Sequence, residues 1–402
     1  MYRPLPLDSF ALHEPVPVNI WDAKGVLLLR KGETITSEQH RGVLLLHAPV
    51  VLASDWQALN YGYTASLDRM VRDNQALNRI AGLRALSASP AEVAARDAGV
   101  SVPEAWAELH ATLAALLHQG ASAHQFLERV LRVQSQGEQL WHDQADNSLL
   151  VLVQLLFDTR VSYSATHALL AAGLCALVAP LAGWDEKQRR ALVLAALTMN
   201  LGMTREHDEM ARQPGPLSSA QRKVVREHPQ QSVALLRQLG VLDAEWIRLV
   251  AQHHEKPDGT GYPKGERVDR ITHRLLQMAD VYVACISPRK SRGALLSQQV
   301  ARELYMGGHR APDQLGALFV KSVGFYPPGS YVRLASGELG VVVRRGEKAN
   351  EPRVAALVGR QGLPLGEPVL RDTADPTWAV AASLPPGEVK VIVNVDRLIA
   401  RG

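Results

Sequence analysis

Residues 253–263 read His253-His254-Glu255-Lys256-Pro257-Asp258-Gly259-Thr260-Gly261-Tyr262-Pro263, two adjacent imidazoles followed by acidic residues and a loop of glycine and proline. Neutral imidazoles ligate metals, and two in succession at a helix end can face two neighbouring ions. Asp258-Gly259 and Gly261-Tyr262-Pro263 then force the chain out of the helix into a defined loop beside them. The chemistry this predicts is metal-assisted: a dication that holds an anionic oxygen or generates hydroxide.

The run resembles the HHExxDGxGYP motif of the HD-GYP family, metal-dependent phosphodiesterases that cleave cyclic di-GMP. The resemblance implies a second element, a His-Asp pair whose carboxylate bridges two metals, and here the chain departs. Aligned with the family's ALLHDIGK pattern, 195–203 puts Met199 at the histidine, Asn200 at the aspartate and Met203 at the lysine. A thioether is a poor ligand for a hard or borderline dication, and a carboxamide cannot offer two anionic oxygens to a metal pair. No catalytic residue is therefore assigned. The two other His-Asp pairs, His207-Asp208 and His142-Asp143, lack the Leu-Gly that follows the family's pair, and they are expected to be solvated polar residues.

The resemblance carries further positions over. Tyr163-Ser164-Ala165-Thr166-His167 is similar to YTxxH, which makes His167 a metal position; Glu227-His228-Pro229 is similar to the HP element, which makes His228 another; Ala279-Asp280-Val281-Tyr282 is similar to ADxYDA, which adds Asp280, while Val283 replaces the second aspartate. Ser287-Pro288-Arg289-Lys290-Ser291-Arg292 overlays SDRPYR with both arginines kept, so Arg289 and Arg292 are candidate phosphate-binding groups through forked, charge-assisted hydrogen bonds. Sorted by metal, His228, His253 and His254 form a cage for one ion near the Asn200 carbonyl, leaving His167 and Asp280 to the other side. The cofactor expectation is one divalent ion (Fe, Mn, Zn or Ni), or none, with the histidines then bonded to one another, to Glu255 and to water.

Two functions from different classes follow. One is a degenerate HD-GYP protein in cyclic di-GMP signalling, non-hydrolytic, which binds the nucleotide or presents the loop of Asp258, Gly259, Gly261, Tyr262 and Pro263 to a protein partner such as a GGDEF-type cyclase. The other is an active phosphodiesterase with a reduced metal site. Oligomerisation is left open.

Helices must position these groups. Asp185-x-x-Gln188 opens a helix ending near Met199-Asn200, Ser218-x-x-Gln221 opens one reaching His228, and Trp246, Ile247, Leu249, Val250 and Ala251 form an apolar stretch just before His253. The fold class is mainly α: an HD-type helical bundle over 141–322, preceded by a helical extension over 61–140 and flanked by small β-rich modules over 1–60 and 323–402. In the extension, Trp106, Leu109, Leu113 and Leu116 share a face behind a capping signal at Ser101 and Glu104, while His110, His118 and His124 read as isolated histidines. The first module shows strands over 16–21 and 26–29 and a capping box at Thr36 and Gln39. The last shows strands over 331–334, 339–345, 353–358 and 389–395, a Ser336-Gly337 hairpin turn, and Arg344-Arg345 as solvated charges on an edge strand.

Composition narrows the class. A chain of 402 residues, 47% apolar and 21% charged, is that of a globular multi-domain protein. A net charge of +4, with no run of five like charges, gives no nucleic-acid or membrane-surface signature. The start lacks a secretory pattern, and the apolar stretch 168–184 is broken and too short to span a bilayer. Cys175 and Cys285 read as buried thiols of a reducing, cytoplasmic compartment.

Overall fold

Capping boxes open helices at Ser101 with Glu104, at Asp185 with Gln188 and at Ser218 with Gln221; in each, the first side chain accepts the amide three residues on and the second returns to the cap amide. The computed structural model describes residues 2–5, 7, 10, 12–22, 25–52, 55, 101–290, 293–306, 313–391 and 393–401. These fall into two compact units, Met1–Gly99 and Val100–Gly402. The part of the expected extension over 61–100 lies outside the described residues.

The first unit holds β1 (Tyr2–Pro4), β2 (Ile20–Trp21), β3 (Leu27–Leu29), α1 (Glu38–Leu46) and β4 (Val50–Leu52) in an antiparallel sheet of order β1-β4-β2-β3. Its strands are shorter than the apolar runs suggested. The α1 cap is Ser37, one residue later than expected: its hydroxyl accepts from the His40 amide at 3.0 Å, while Thr36 is engaged with the His40 ring.

The second unit is a helical body: α2 (Val102–Gln119), α3 (Phe126–Asp143), α4 (Ala145–Leu156), α5 (Tyr163–Val178), α6 (Glu186–Thr198), α7 (Thr204–Arg212), α8 (Ser219–Gln238), α9 (Ala244–Gln252), α10 (Ile271–Ile286), α11 (Ser297–Met306) and α12 (Gln314–Val323). Nearly every residue of α5 is buried, and so is the whole of α6 from Ala191 to Thr198. A helix apolar on all sides must lie inside its neighbours, and α5 is the axis on which α2, α4, α6 and α10 pack. Trp106, Leu109, Leu113 and Leu116 join this same core. Among the described residues, no helix is long and apolar enough to cross a membrane. Cys175 is buried, Cys285 half-buried, and both are free.

The chain closes with β5 (Tyr331–Leu334), β6 (Leu339–Arg344), β7 (Arg353–Val358), β8 (Pro364–Asp372), β9 (Val380–Leu384) and α13 (Val395–Ile399), the strands forming one antiparallel sheet of order β8-β7-β6-β5-β9. Gly337, at φ +87°, makes the expected turn between β5 and β6. Two expectations are corrected here. The described residues of 389–395 form no strand; β8 and β9, whose mixed composition obscured their alternation, complete the sheet instead. Arg344 and Arg345 are not on an edge, because β6 lies between β5 and β7, and the Arg345 guanidinium bonds Asp146 of α4 at 2.5 Å and the Ser322 carbonyl at the end of α12. One face of the sheet packs Tyr331, Val341, Val343 and Leu357 on Leu150 of α4 and Phe157 just beyond it.

Candidate metal centre

The imidazoles of His228, His253 and His254 come from the interior of α8 and the end of α9, and one ligand nitrogen from each lies within 4.8 Å of the others. Their orientation is set by the backbone. The Nδ1 of His228 faces the Val225 carbonyl at 2.7 Å, and that of His253 faces the Val250 carbonyl at 2.8 Å. A carbonyl only accepts, so each Nδ1 carries the ring proton and each Nε2 of a neutral ring presents a lone pair. Those two Nε2 atoms are 3.0 Å apart. Burial first, and the neighbouring His253 second, push His228 down to about 3; burial likewise lowers His253 and holds His254 well below its ordinary value. Two facing lone pairs in a buried site need an electrophile between them, and a dication meets that need.

The rest of the cage is held as firmly. Asp243 caps α9 by accepting from the Glu245 and Trp246 amides, both at 2.9 Å, and the Trp246 indole donates to Thr198 at the end of α6. Tyr262 stacks on His254 with ring centroids 4.4 Å apart, and its amide donates to the His254 carbonyl. That fold-back requires Gly261: a Cβ there would come within 2.5 Å of Glu255 Cα and the His254 carbonyl oxygen. Glu255, fully buried, accepts from the Lys264 amide at 2.8 Å and so closes the loop. Lys256, Pro257, Asp258, Thr260, Lys264 and Gly265 stand in solvent, while Gly259, Tyr262 and Pro263 are half-buried.

On the opposite side His167 of α5 donates through Nε2 to Asp280 of α10 at 2.8 Å, and its Nδ1 is 3.3 Å from the Tyr163 hydroxyl, which also accepts from Arg289 at 2.9 Å. Burial would raise the Asp280 carboxyl, but the His167 hydrogen bond and the surrounding imidazoles outweigh it and hold the group ionised, well below the usual carboxylate range. Its second oxygen is 3.9 Å from His254 Nδ1, so Asp280 connects the two halves of the cleft. Arg292 lies outside the described residues.

Met199 and Asn200 lie in the turn that follows α6. Met199 is fully buried and its carbonyl accepts from Ser232 of α8, whose hydroxyl also receives the Gly202 amide at 2.8 Å. This ties the 199–203 turn to α8 beside His228. Asn200 Oδ1 is buried with no hydrogen-bond partner among the described residues. An orphaned carbonyl oxygen and three convergent imidazoles fit one borderline divalent ion. Met199 and Val283 are apolar and buried, and Asn200 carries no charge.

His207 and Asp208 are corrected: they are buried, not solvated. Asp208 accepts from the Ser164 amide at 2.7 Å, the Ser162 hydroxyl at 2.9 Å and His118 at 2.9 Å. Burial raises its pKa, yet these bonds prevail and hold it at about 2. His118 is thus a paired group, and His110 bonds the Ser162 carbonyl and the Thr166 hydroxyl; neither faces the cleft cage. His142 and Asp143 are exposed as expected, and so is His124. His207 lies with its ring edge-on to Tyr163, centroids 4.7 Å apart, and 5.4 Å from His167. The signal for its burial was a face of Thr204, His207, Asp208 and Ala211 at helical spacing, hidden by the polarity of the residues composing it.

Residues 150–307 match the HD domain family. Over 232 residues the chain is 34% identical to a cyclic di-GMP phosphodiesterase of Pseudomonas aeruginosa, covering 56% of this chain and 55% of that protein. It is 27% identical over 157 residues to a 3'3'-cGAMP-specific phosphodiesterase of Vibrio cholerae, 38% of this chain and 36% of the relative. The match thus spans about half the length of the first relative and about a third of the second. An HDG"Y"P protein from Bdellovibrio bacteriovorus superposes with a TM-score of 0.45 at 15% identity, covering 79% of this chain and 97% of that one. Residues 150–307 thus carry an HD domain, and the histidine pair and GYP loop within it resemble those of the HD-GYP family.

Proposed function

We propose that this chain works in cyclic dinucleotide signalling as an HD-GYP domain that binds cyclic di-GMP and one divalent ion without hydrolysing the nucleotide. The observation that carries the reading is the pair in the turn packed on α8 beside His228: a fully buried thioether, Met199, and a carboxamide, Asn200, where two metals would need a shared carboxylate. His228, His253 and His254 would hold the ion, which when bound supplies positive charge to a phosphate oxygen. Arg289, fixed by Tyr163, supplies a second cationic contact to the nucleotide. The relatives named for cyclic dinucleotide hydrolysis support the ligand class.

The exposed residues of the GYP loop, Asp258 and Thr260 among them, would be the part that meets a protein partner such as a GGDEF-type cyclase, since Tyr262 is stacked on His254. A second reading, a phosphodiesterase running on a single ion, is favoured by one observation, the convergence of the three imidazoles. Incubating the purified chain with manganese or iron and cyclic di-GMP separates the two. The expected result is saturable binding by calorimetry, with no linear dinucleotide or GMP beyond that formed by a His253→Ala/His254→Ala variant; metal-dependent product in the unmodified chain alone reverses the order.

A further inference from the structure

Two buried side-chain nitrogens around one tyrosine ring lack hydrogen-bond partners among the described residues. His207 keeps only 6% of its surface exposed, and its Nδ1 is buried with no hydrogen bond among the described residues. The Arg289 Nε is buried and equally without one, although Nη2 of the same group donates to the Tyr163 hydroxyl at 2.9 Å. The Arg289 guanidinium lies 5.3 Å from the centroid of the Tyr163 ring, and the His207 ring meets that same ring edge-on at 4.7 Å. Buried polar groups in folded proteins are paired, so an unpaired one calls for a ligand, ion or water that completes it. Here two such groups flank one ring, whose hydroxyl lies 3.3 Å from His167 Nδ1.

The charge of the neighbourhood decides what completes them. A dication at His207 would be set beside the Arg289 guanidinium, and among the described residues the His, Cys, Asp and Glu ligand atoms that converge for a metal belong to His228, His253 and His254, not to His207. An anionic oxygen has the opposite preference: it accepts from a guanidinium and from an imidazole N–H, and each such bond is charge-assisted. We propose that His207 is a phosphate-binding residue, which with Arg289 receives one phosphodiester group of the bound cyclic dinucleotide beside Tyr163. The assignment rests on the nucleotide-binding reading above and adds to it a residue that no motif marks.

The test is calorimetric titration of the full chain with cyclic di-GMP, with bound metal measured in parallel by elemental analysis. His207→Phe keeps a ring against Tyr163 and His167 but removes the donor, and His207→Gln restores an N–H. Losing one charge-assisted bond predicts about a tenfold or larger weakening in the phenylalanine variant, partial recovery in the glutamine variant, and unchanged metal content in both. Should the phenylalanine variant not fold, His207→Leu against His207→Gln makes the same comparison. Unchanged affinity in the variant lacking the donor overturns the assignment and leaves the functional reading standing. A loss of bound metal in place of a loss of affinity also overturns it, since His207 would then be a ligand. If the unmodified chain takes up no cyclic di-GMP, the functional reading fails and His207 falls with it.

Discussion

Restoring the lost pair, Met199→His with Asn200→Asp, should make the stability of this protein depend on metal, with a sign that can be worked out beforehand. Met199 is fully buried, so a histidine there places a polar ring in the core at a cost of about 1–3 kcal/mol unless it is paired. Asn200 Oδ1 already lacks a partner, and an aspartate puts an uncompensated charge in the same place at a cost of roughly 3–5 kcal/mol. Without metal the double variant should therefore lose on the order of 5 kcal/mol, which in a unit of this size lowers the melting temperature by about 10 °C or more. With metal, the same two residues supply the missing ligand and bridge. Saturation at about a thousandfold excess over Kd stabilises by roughly 4 kcal/mol and should recover most of the loss. The assay is thermal unfolding in chelator and in manganese or iron, with metal counted per chain: one equivalent in the unmodified protein and two in the variant. Two equivalents in the unmodified chain, or no gain on restoring the pair, would refute the reasoning that a carboxamide beside a thioether cannot bridge.

Two further outcomes follow from the geometry. Asp208 has a folded-state pKa of about 2 against an ordinary 3.8, so its contribution is fully present above pH 4 and is lost as pH falls through 2; linkage makes this on the order of 1–2 kcal/mol, and Asp208→Asn should flatten that part of the stability-versus-pH curve measured by urea unfolding. Gly261→Ala drives a Cβ into the Glu255 and His254 backbone, within 2.5 Å, so the loop must open and Tyr262 must leave His254; the expected result is weaker metal binding and raised proteolysis at 256–264, and a variant with normal metal affinity and normal protection would show that the loop does not order the cage.

The helix ends that carry the site were legible from short-range chemistry. A cap and its partner three residues on belong to one turn, so Asp185 with Gln188 and Ser218 with Gln221 could be read before any packing was known. The C-terminal strands β8 and β9 could not, because their exposed, mixed composition carries little alternation and their pairing partners are distant in the chain. Arg345 was misread for the same reason: its partner, Asp146, is 199 residues away. The site divides along this line as well. The types of the candidate ligands, and the carboxamide at Asn200, belong to the residues themselves, since no conformation turns a carboxamide into a carboxylate. The 3.0 Å meeting of His228 and His253 is a product of packing, with each ring turned by a carbonyl of its own helix and the two helices brought together by the core. His207 makes the division plainest: a histidine in a polar run reads as solvated, and only the seating of α7 against α5 removes it from water and sets it against Tyr163. Local sequence determines which groups exist and where helices start, whereas long-range burial decides which of those groups face one another.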